Sequence, residues 1–411
     1  MTMPDADKQT LRELARRVAE IAAEPIQAER TRLWKGFNAL RPHRPMVLAF
    51  PEGGWRDLVT DDDCRCADPQ ARTWELHLRR KIFHAEHIHD DQPITDVFNV
   101  PWAIDYGNFG LTETYIRTED LGSHVWDAPV KTAEDFKKLH PRPIRVDREA
   151  TARNLAAAKE VFSGILDVRA HHHVGWPASL TWTLIRLRGL NQVLMDIYDN
   201  PQLLHDLMGF LRDDRLREWD LLEREGVLTL NNAPDEYVGS GGLGGTDELP
   251  AADFDGHVRL KDLWGFGESQ EFVHVGPEHF YEFALQYQAP ILERFGLNHY
   301  GCCEPLGAKW DLLVRHVPRL RRVSVSPWWD VADAAAKLTD RYIFSWKPNP
   351  ALICAPTVDW DQVERVTRQT LSAAKGGCVE MVMKDTHTFC GDPTRIERWS
   401  EIASRAAADA A

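Results

Sequence analysis

Residues 297–304 have the sequence Leu-Asn-His-Tyr-Gly-Cys-Cys-Glu. A short, largely apolar run ends here in an imidazole, two thiols and a carboxyl group, on His299, Cys302, Cys303 and Glu304. In parallel α/β proteins, reactive side chains collect where the strands end. The stretch therefore predicts a buried β-strand with a candidate site at its carboxyl end.

Seven further short apolar runs of this kind lie along the chain, separated by longer amphipathic stretches. The eight runs are residues 46–50, 96–100, 165–170, 227–230, 297–300, 322–326, 342–346 and 378–383. Such alternation is typical of repeated βα units, and eight is the strand number of a (β/α)₈ (TIM) barrel. We therefore expect an α/β fold with one barrel domain over residues 46–411. The clearest intervening helices are predicted at residues 180–195, 201–225, 277–295, 307–316 and 360–375.

Three segments lie outside this repeating pattern. Near the start, Leu11, Leu14, Val18 and Ile21 recur at helical spacing, which predicts an N-terminal helical cap over residues 1–45. Residues 101–130 and the glycine-dense residues 239–245 are expected to be insertions in βα loops, lying over the carboxyl-terminal face of the barrel. For the glycine-dense segment the alternative is a disordered excursion.

The composition excludes several classes of protein. Hydrophobic residues make up 43% of the 411 residues, yet no apolar run approaches the ~18 residues that would cross a bilayer. The net charge of −14 comes without a basic cluster, which argues against a nucleic-acid partner. The charged N-terminus does not resemble a signal peptide, so we expect a cytoplasmic protein. Seven cysteines are too few for a disulfide scaffold.

The thiols of residues 297–304 suggest a metal site shared with the end of the eighth run. Cys390 follows that run, and in a closed barrel the strand ends surround one axis. The predicted zinc ligands are His299, Cys302 or Cys303, and Cys390, with water or substrate in the fourth position. Glu304 or His387 is the reserve ligand. The structural alternative is that the adjacent cysteines are small buried hydrophobic residues and the histidine caps a helix.

A second cluster of ionisable side chains, Arg169-Ala-His171-His172-His173, ends the third run. On a strand Arg169, His171 and His173 share one face, where they could bind an anionic substrate or transfer a proton. Packing with internal hydrogen bonds is the alternative. Glu52, after the first run, is predicted to be a general acid or base if its loop desolvates it, and a surface turn is the alternative.

Residues at other strand ends are weaker candidates for substrate contact, because polar side chains are expected there in any barrel. They are Trp176, Asn231, Asp262, Glu268 and His387. No dinucleotide-binding fingerprint or P-loop accompanies them, since residues 239–245 lack the Gly-Lys-Ser/Thr ending.

Several motifs together resemble a known family. They are Gly175-Trp-Pro-Ala-Ser-Leu-Thr-Trp-Thr-Leu with Leu194-Met-Asp-Ile-Tyr-Asp-Asn-Pro-Gln-Leu-Leu, Asp262-Leu-Trp-Gly-Phe-Gly with Val275-Gly-Pro-Glu-His-Phe-Tyr-Glu-Phe, and Cys390-Gly-Asp-Pro. In this order, over roughly residues 160–400, the chain resembles the uroporphyrinogen decarboxylase-like superfamily. The resemblance implies a TIM barrel.

Within that superfamily, the corrinoid and thiol methyltransferase branch holds zinc through a histidine, a nearby cysteine and a distant C-terminal cysteine. The order of His299, Cys302 or Cys303, and Cys390 resembles this branch. The spacing departs from it, because the usual His-x-Cys would put cysteine where Gly301 stands. The arginine-rich opening with which the decarboxylases grip porphyrin carboxylates is replaced here by Pro51-Glu-Gly-Gly-Trp-Arg56, so heme biosynthesis is not expected.

The resemblance favours a zinc-dependent methyltransferase. It would move a methyl group between a corrinoid or tetrahydrofolate carrier and a thiol or hydroxyl group of a small molecule, with a corrinoid carrier protein as a partner and a homodimer as a candidate assembly. The alternative is a metal-independent decarboxylase or lyase in which His171, His173 and Arg169 bind carboxylates. A third alternative is a non-enzymatic carrier or sensor of a corrinoid or metal.

Overall fold

The computed structural model describes residues 3–116 and 125–411. Within these ranges the strands are β1 Met46–Ala49, β2 Val97–Pro101, β3 Ile104–Asp105, β4 Thr114–Ile116, β5 Val125–Asp127, β6 Arg145–Val146, β7 Asp167–His171, β8 Trp264–Gly267, β9 Leu297–Tyr300, β10 Leu320–Val325, β11 Ile343–Trp346 and β12 Cys378–Met383. The α-helices are α1 Asp5–Ala22, α2 Pro25–Asn38, α3 Pro69–His87, α4 Ala133–Phe136, α5 Arg148–Phe162, α6 Leu180–Arg188, α7 Leu190–Asp199, α8 Pro201–Arg224, α9 Pro277–Phe280, α10 Gln286–Leu292, α11 Trp310–His316, α12 Val331–Leu338, α13 Ala351–Cys354, α14 Trp360–Ala373 and α15 Thr394–Asp409.

Six strands form one parallel sheet in the order β1-β12-β11-β10-β9-β8. Every residue of β1, β8, β9, β11 and β12 is buried. Strands that are buried along their whole length are typical of a parallel sheet covered on both faces. The molecule is therefore an α/β protein.

Two more parallel strands, β2 and β7, pair with each other. Among the described residues no β-ladder joins this pair to the six-stranded sheet. Single backbone hydrogen bonds bridge the gaps, from the Asp91 N–H to the Val47 carbonyl oxygen (2.9 Å) and from the Ala178 N–H to the Phe266 carbonyl oxygen (3.0 Å). Closure of the eight parallel strands into a barrel stays a prediction.

One predicted strand is wrong. Residues 227–230 form no ladder, and the strand between β7 and β9 in the chain is β8. The side chain of Asn231 instead bonds the backbone N–H (2.9 Å) and carbonyl (3.0 Å) of Trp264. Glycines weaken the strand signal of β8, but Gly265 is required because a Cβ there would lie 2.4 Å from Asn298 Oδ1. The other seven predicted strands are present.

The N-terminal residues are helical, as predicted. Leu11, Val18 and Ile21 of α1 are buried against α3 and α5, in a cluster that also contains Phe98 and Phe162. We call this cluster the N-terminal core. Helix α2 packs elsewhere, with Trp34 and Phe37 against residues of β1, β11 and β12. A division into a cap and a barrel domain stays a prediction.

The glycine-dense segment differs from its prediction. It does not lie over the strand ends as a disordered or covering loop, because residues 240–246 are buried against the middle of the sheet. A Cβ on Gly242 would meet Arg322 Cζ at 2.6 Å and Glu380 Oε1 at 2.8 Å. These two side chains form a fully buried ion pair, with 3.1 Å between Arg322 Nε and Glu380 Oε1. Glycine therefore lets backbone approach charged groups inside the fold.

The other predicted insertion is partly described. Two antiparallel pairs, β3 with β6 and β4 with β5, frame it, and residues 117–124 lie outside the described residues. None of the described helices combines the length and apolar character needed to cross a membrane.

Candidate active site

The carboxyl ends of β1, β9 and β12 open onto a cavity of about 470 Å³. Its lining residues are Phe50, Glu52, Trp176, Tyr237, Gln270, Cys302, Cys303, Lys384 and Asp385. Ligands of parallel α/β folds bind at this end of the strands. Among the side chains singled out from the sequence, the cavity brings together Glu52, Trp176, Cys302 and Cys303.

The two neighbouring thiols lie on the cavity wall with their sulfur atoms 3.6 Å apart. The hydrogen bond between the two thiols raises the pKa of Cys302 and lowers the pKa of Cys303. Gly301 turns the chain into this loop with a φ of +97°, a value that only glycine adopts easily. Cys303 is therefore the first of the pair to become a thiolate.

Glu304 fixes the backbone of this loop through hydrogen bonds. Its carboxylate accepts hydrogen bonds from the backbone N–H groups of Cys302 and Ser269, both at 2.9 Å. Burial raises its pKa, and it does not line the cavity. Its contacts fit a residue that positions Cys302.

A chain of polar contacts connects the other charged groups of the cavity. The backbone N–H of Asp385 donates to Glu52 Oε2 at 2.7 Å, and Lys384 Nζ donates to Asp385 Oδ1 at 2.8 Å. Cys303 Sγ lies 3.9 Å from Asp385 Oδ2. Glu52 and Asp385 both adopt left-handed φ angles, +46° and +57°. Such strain clusters at functional sites.

The pKa values of these groups follow from their surroundings. Desolvation raises the pKa of Glu52, although the residue is exposed at the cavity mouth. The charge of Lys384 opposes this rise, and the charge of Asp385 adds to it. Burial alone would lower the pKa of Lys384, but the neighbouring acidic groups of Cys302 and Asp385 and the hydrogen bond to Asp385 outweigh burial and raise the value. Glu52 thus has a raised pKa and Lys384 keeps its charge.

The predicted zinc ligands are not drawn together. Both ring nitrogens of His299 face other partners: Nε2 lies 2.9 Å from Ser324 Oγ and Nδ1 lies 3.3 Å from the Val238 carbonyl oxygen. Cys390 is exposed, and its thiol donates to the carbonyl oxygen of Cys354 at 3.5 Å. Among the described residues, no three His, Cys, Asp or Glu side chains are grouped to hold a metal ion. The donor set in this arrangement does not fit zinc.

The side chains of the second predicted cluster, residues 169–173, already contact other residues of the protein. His171 Nε2 lies 2.9 Å from Glu236 Oε1, and Arg169 Nη2 lies 3.7 Å from the same oxygen. Arg169 also donates to Asn99 Oδ1 at 3.1 Å. Burial lowers the pKa of His173. Glu236 therefore takes the position of the anion that these side chains were expected to bind.

The weaker candidates for substrate contact differ in their surroundings. Asn231 bonds the backbone of β8, and Asp262 accepts from the backbone N–H groups of Ala251 (3.0 Å) and Arg259 (2.9 Å). Glu268 is buried, and desolvation together with nearby carboxylates raises its pKa well above the ordinary range. These three have structural contacts. His387 is exposed, close to Glu52.

Sequence reasoning missed Lys384 and Asp385 as site residues. Their signal was present, because they directly follow the eighth run. A larger cavity of about 730 Å³ also adjoins the first, and the two share Trp176 and Gln270. Part of its lining, including Phe109 and Glu113, belongs to the predicted insertion at residues 101–130.

Comparisons with known proteins give no family assignment. No protein-family model and no curated protein matches the chain. Among solved structures, a methyltransferase from Methanosarcina mazei is similar over 92% of this chain and 97% of its own, with 8% sequence identity and a TM-score of 0.45. Both values are too low for an activity to be carried over from that protein.

Proposed function

We propose that the chain is a methyltransferase that binds a small hydroxyl or thiol substrate in the cavity at the ends of β1, β9 and β12. We further propose that its eight parallel strands close as a (β/α)₈ barrel around that cavity. One observation carries the proposal: a carboxyl group of raised pKa, a buried ammonium group and a thiol of lowered pKa line the same cavity. The sequence resemblance to the methyltransferase branch also supports it.

Glu52 accounts for the proton that must move. A hydroxyl or thiol group loses a proton when it is methylated and regains one when the methyl group leaves. A carboxyl group whose pKa has been raised exchanges protons closer to neutral pH, where general acid–base catalysis is most effective. We assign this exchange to Glu52.

Lys384 accounts for the charge that develops. Loss of the proton leaves an alkoxide or thiolate, which a nearby ammonium group stabilises. The side chain of Lys384 is only 7% exposed, so its charge is poorly screened by solvent. The bond from Lys384 Nζ to Asp385 fixes the ammonium group at the cavity wall.

Zinc and a corrinoid or tetrahydrofolate carrier stay predictions from the resemblance. Because His299 and Cys390 do not fit a common metal ion, no step is assigned to zinc. Metal analysis of the purified protein tests the point: about one zinc per chain, lost in His299→Ala and Cys390→Ala, would support the predicted ligands. A metal-free protein with full methyl-transfer activity would remove zinc from the proposal.

Within residues 3–116 and 125–411, no contact favours the alternative of a decarboxylase or lyase over methyl transfer. That alternative needs Arg169 and His171 to receive a substrate carboxylate, and both face Glu236. A carboxylated substrate would first have to displace a buried acidic side chain.

The proposed activity is tested by supplying an isotope-labelled methyl group on methylcobalamin or methyltetrahydrofolate to a panel of small thiols and alcohols. We expect a labelled product, and a loss of about 10²–10⁴-fold in rate for Glu52→Gln. Lys384→Met is expected to be impaired as well. The matched controls Glu134→Gln and Lys375→Met, both at exposed positions, are expected to keep the wild-type rate. No transfer to any acceptor from either donor, or full activity of Glu52→Gln, would contradict the proposal.

A further inference from the structure

The thiol pair of the cavity is suited to a second kind of chemistry. Cys302 and Cys303 are adjacent in sequence, their sulfur atoms are 3.6 Å apart, and both line the cavity. In the part of the chain that the structure describes, the third and fourth groups that a zinc site would need do not join them. We propose that Cys302 and Cys303 form a reversible oxidation site, at which a hydroperoxide converts the two thiols into a disulfide between neighbouring residues.

The reaction balances in two steps. The Cys303 sulfur attacks the terminal oxygen of the hydroperoxide; an S–O bond forms, the O–O bond breaks, and the alcohol or water leaves with the thiol proton. The product on Cys303 is a sulfenic acid. The Cys302 sulfur then attacks the Cys303 sulfur, an S–S bond forms, and hydroxide leaves with the Cys302 proton as water. Two thiols lose two electrons, and the hydroperoxide gains them.

The local structure favours this pair over the other cysteines. Cys64, Cys66 and Cys378 are buried, and none of them lines the cavity. The backbone N–H of Cys302 is held by Glu304, which limits the ways in which its thiol can turn from Cys303. The ammonium group of Lys384, on the same wall, favours the Cys303 thiolate, whereas the carboxylate of Asp385, 3.9 Å from Cys303 Sγ, opposes it more strongly. Cys354 and Cys390 are the competing pair, joined by one hydrogen bond.

The geometry also makes the product easy to reduce. Neighbouring Cα atoms are about 3.8 Å apart across a trans peptide bond, below the range of about 4.4–6.8 Å that most disulfides span. Strained and exposed disulfides are the readily reduced ones. Reversal by a small dithiol is therefore expected.

This inference rests on the proposed function for its consequence: oxidation would change the wall of the substrate cavity and lower the rate of methyl transfer until the disulfide is reduced. Its chemical core does not depend on any activity. The two can therefore fail separately.

Peptide mass spectrometry after exposure of the full chain to one equivalent of hydrogen peroxide tests the site. Trypsin releases residues 295–309, which contain Cys302 and Cys303 and no other cysteine. We expect this peptide to become lighter by two hydrogen atoms, to resist alkylation, and to recover with dithiothreitol. Uptake of oxygen without the loss of hydrogen, or a first cross-link between Cys354 and Cys390, would overturn the proposal.

Variants sharpen the test. In Cys302→Ser the second step is blocked, so dimedone should label a sulfenic acid on Cys303, whereas Cys354→Ser and Cys390→Ser should form the disulfide as the wild type does. Absence of dimedone labelling in a folded Cys302→Ser protein counts against the proposed order of attack. If Cys302→Ser does not fold, phenylarsine oxide, which bridges close dithiols, supplies a second measurement on the wild type. We expect one equivalent to bind at residues 295–309 and none to bind after oxidation. Binding elsewhere would overturn the proposal.

Discussion

Glu52 gives the clearest consequence at the scale of single residues. Desolvation raises its pKa above the ordinary value of 4.5, so its ionised fraction grows over a range shifted toward neutral pH. If it accepts the proton of a methyl acceptor, kcat/KM should rise with pH through that raised pKa and then level off. Glu52→Gln should lack this rise, while Glu134→Gln should retain it. A pH–rate profile that is the same in all three proteins would assign the proton to another group.

The buried ion pair of Arg322 and Glu380 is expected to contribute to the stability of the folded protein. Both side chains have no exposed surface, so removal of one charge leaves the other unpaired in a medium of low polarity. Glu380→Gln is expected to lower the free energy of unfolding by about 3–5 kcal/mol. Glu364→Gln, which breaks the exposed pair with Arg368, should change it far less, because solvent screens that pair. Urea denaturation measures both, and equal effects would contradict the argument.

The buried glycine segment is the element whose backbone matters most. Gly242 combines a φ of +112° with a site where a Cβ would meet Arg322 at 2.6 Å, while Gly256 has a φ of +101° and open space around it. Alanine at either position incurs backbone strain of about 1–3 kcal/mol. Gly242→Ala should incur an additional packing cost and disturb the charged pair. Thermal unfolding of the two variants separates these contributions, and a Gly242→Ala protein as stable as Gly256→Ala would show that the contact relaxes.

The sequence predicted a strand correctly wherever a short apolar run pairs with a neighbouring strand in the structure. Residues 227–230 show the limit, because Val227 and Leu228 are core residues whose apolar character does not distinguish strand from buried loop. Conversely, β8 was obscured by two glycines that its neighbours require. Propensity alone does not reveal such close approaches.

The same limit applies to the site. Glu52, Cys302 and Cys303 were predictable, since each lies in the loop that follows a strand run. The partners of His299 were not, because Ser324 and Val238 reach it only through the tertiary arrangement. Cys390 was predicted as a site residue because it carries a thiol. The residues that line the cavity are instead Lys384 and Asp385, which lie nearer the end of β12.

At the scale of the whole molecule, the N-terminal core is separate from the larger core that surrounds the six-stranded sheet. Leu11→Ala is expected to cost about 2–5 kcal/mol and to act first on β2 and β7. Hydrogen exchange should then accelerate in β2 and β7 more than in β10 and β11. Leu338→Ala, a matched change in the larger core, should show the reverse preference. Uniform acceleration in both variants would mean that the two cores open as one cooperative unit.

The pairing of β1 with β12 has a consequence for synthesis. Met46 lies opposite Glu380, so the first strand of the large sheet finds its ladder partner only after the chain as far as β12 has left the ribosome. At about 5–20 residues per second, the nascent chain must carry the bare apolar edge of β1 for many seconds. Such an edge is a template for aggregation. Yield during expression is thus expected to depend on chaperones more steeply than the stability of the finished protein would suggest.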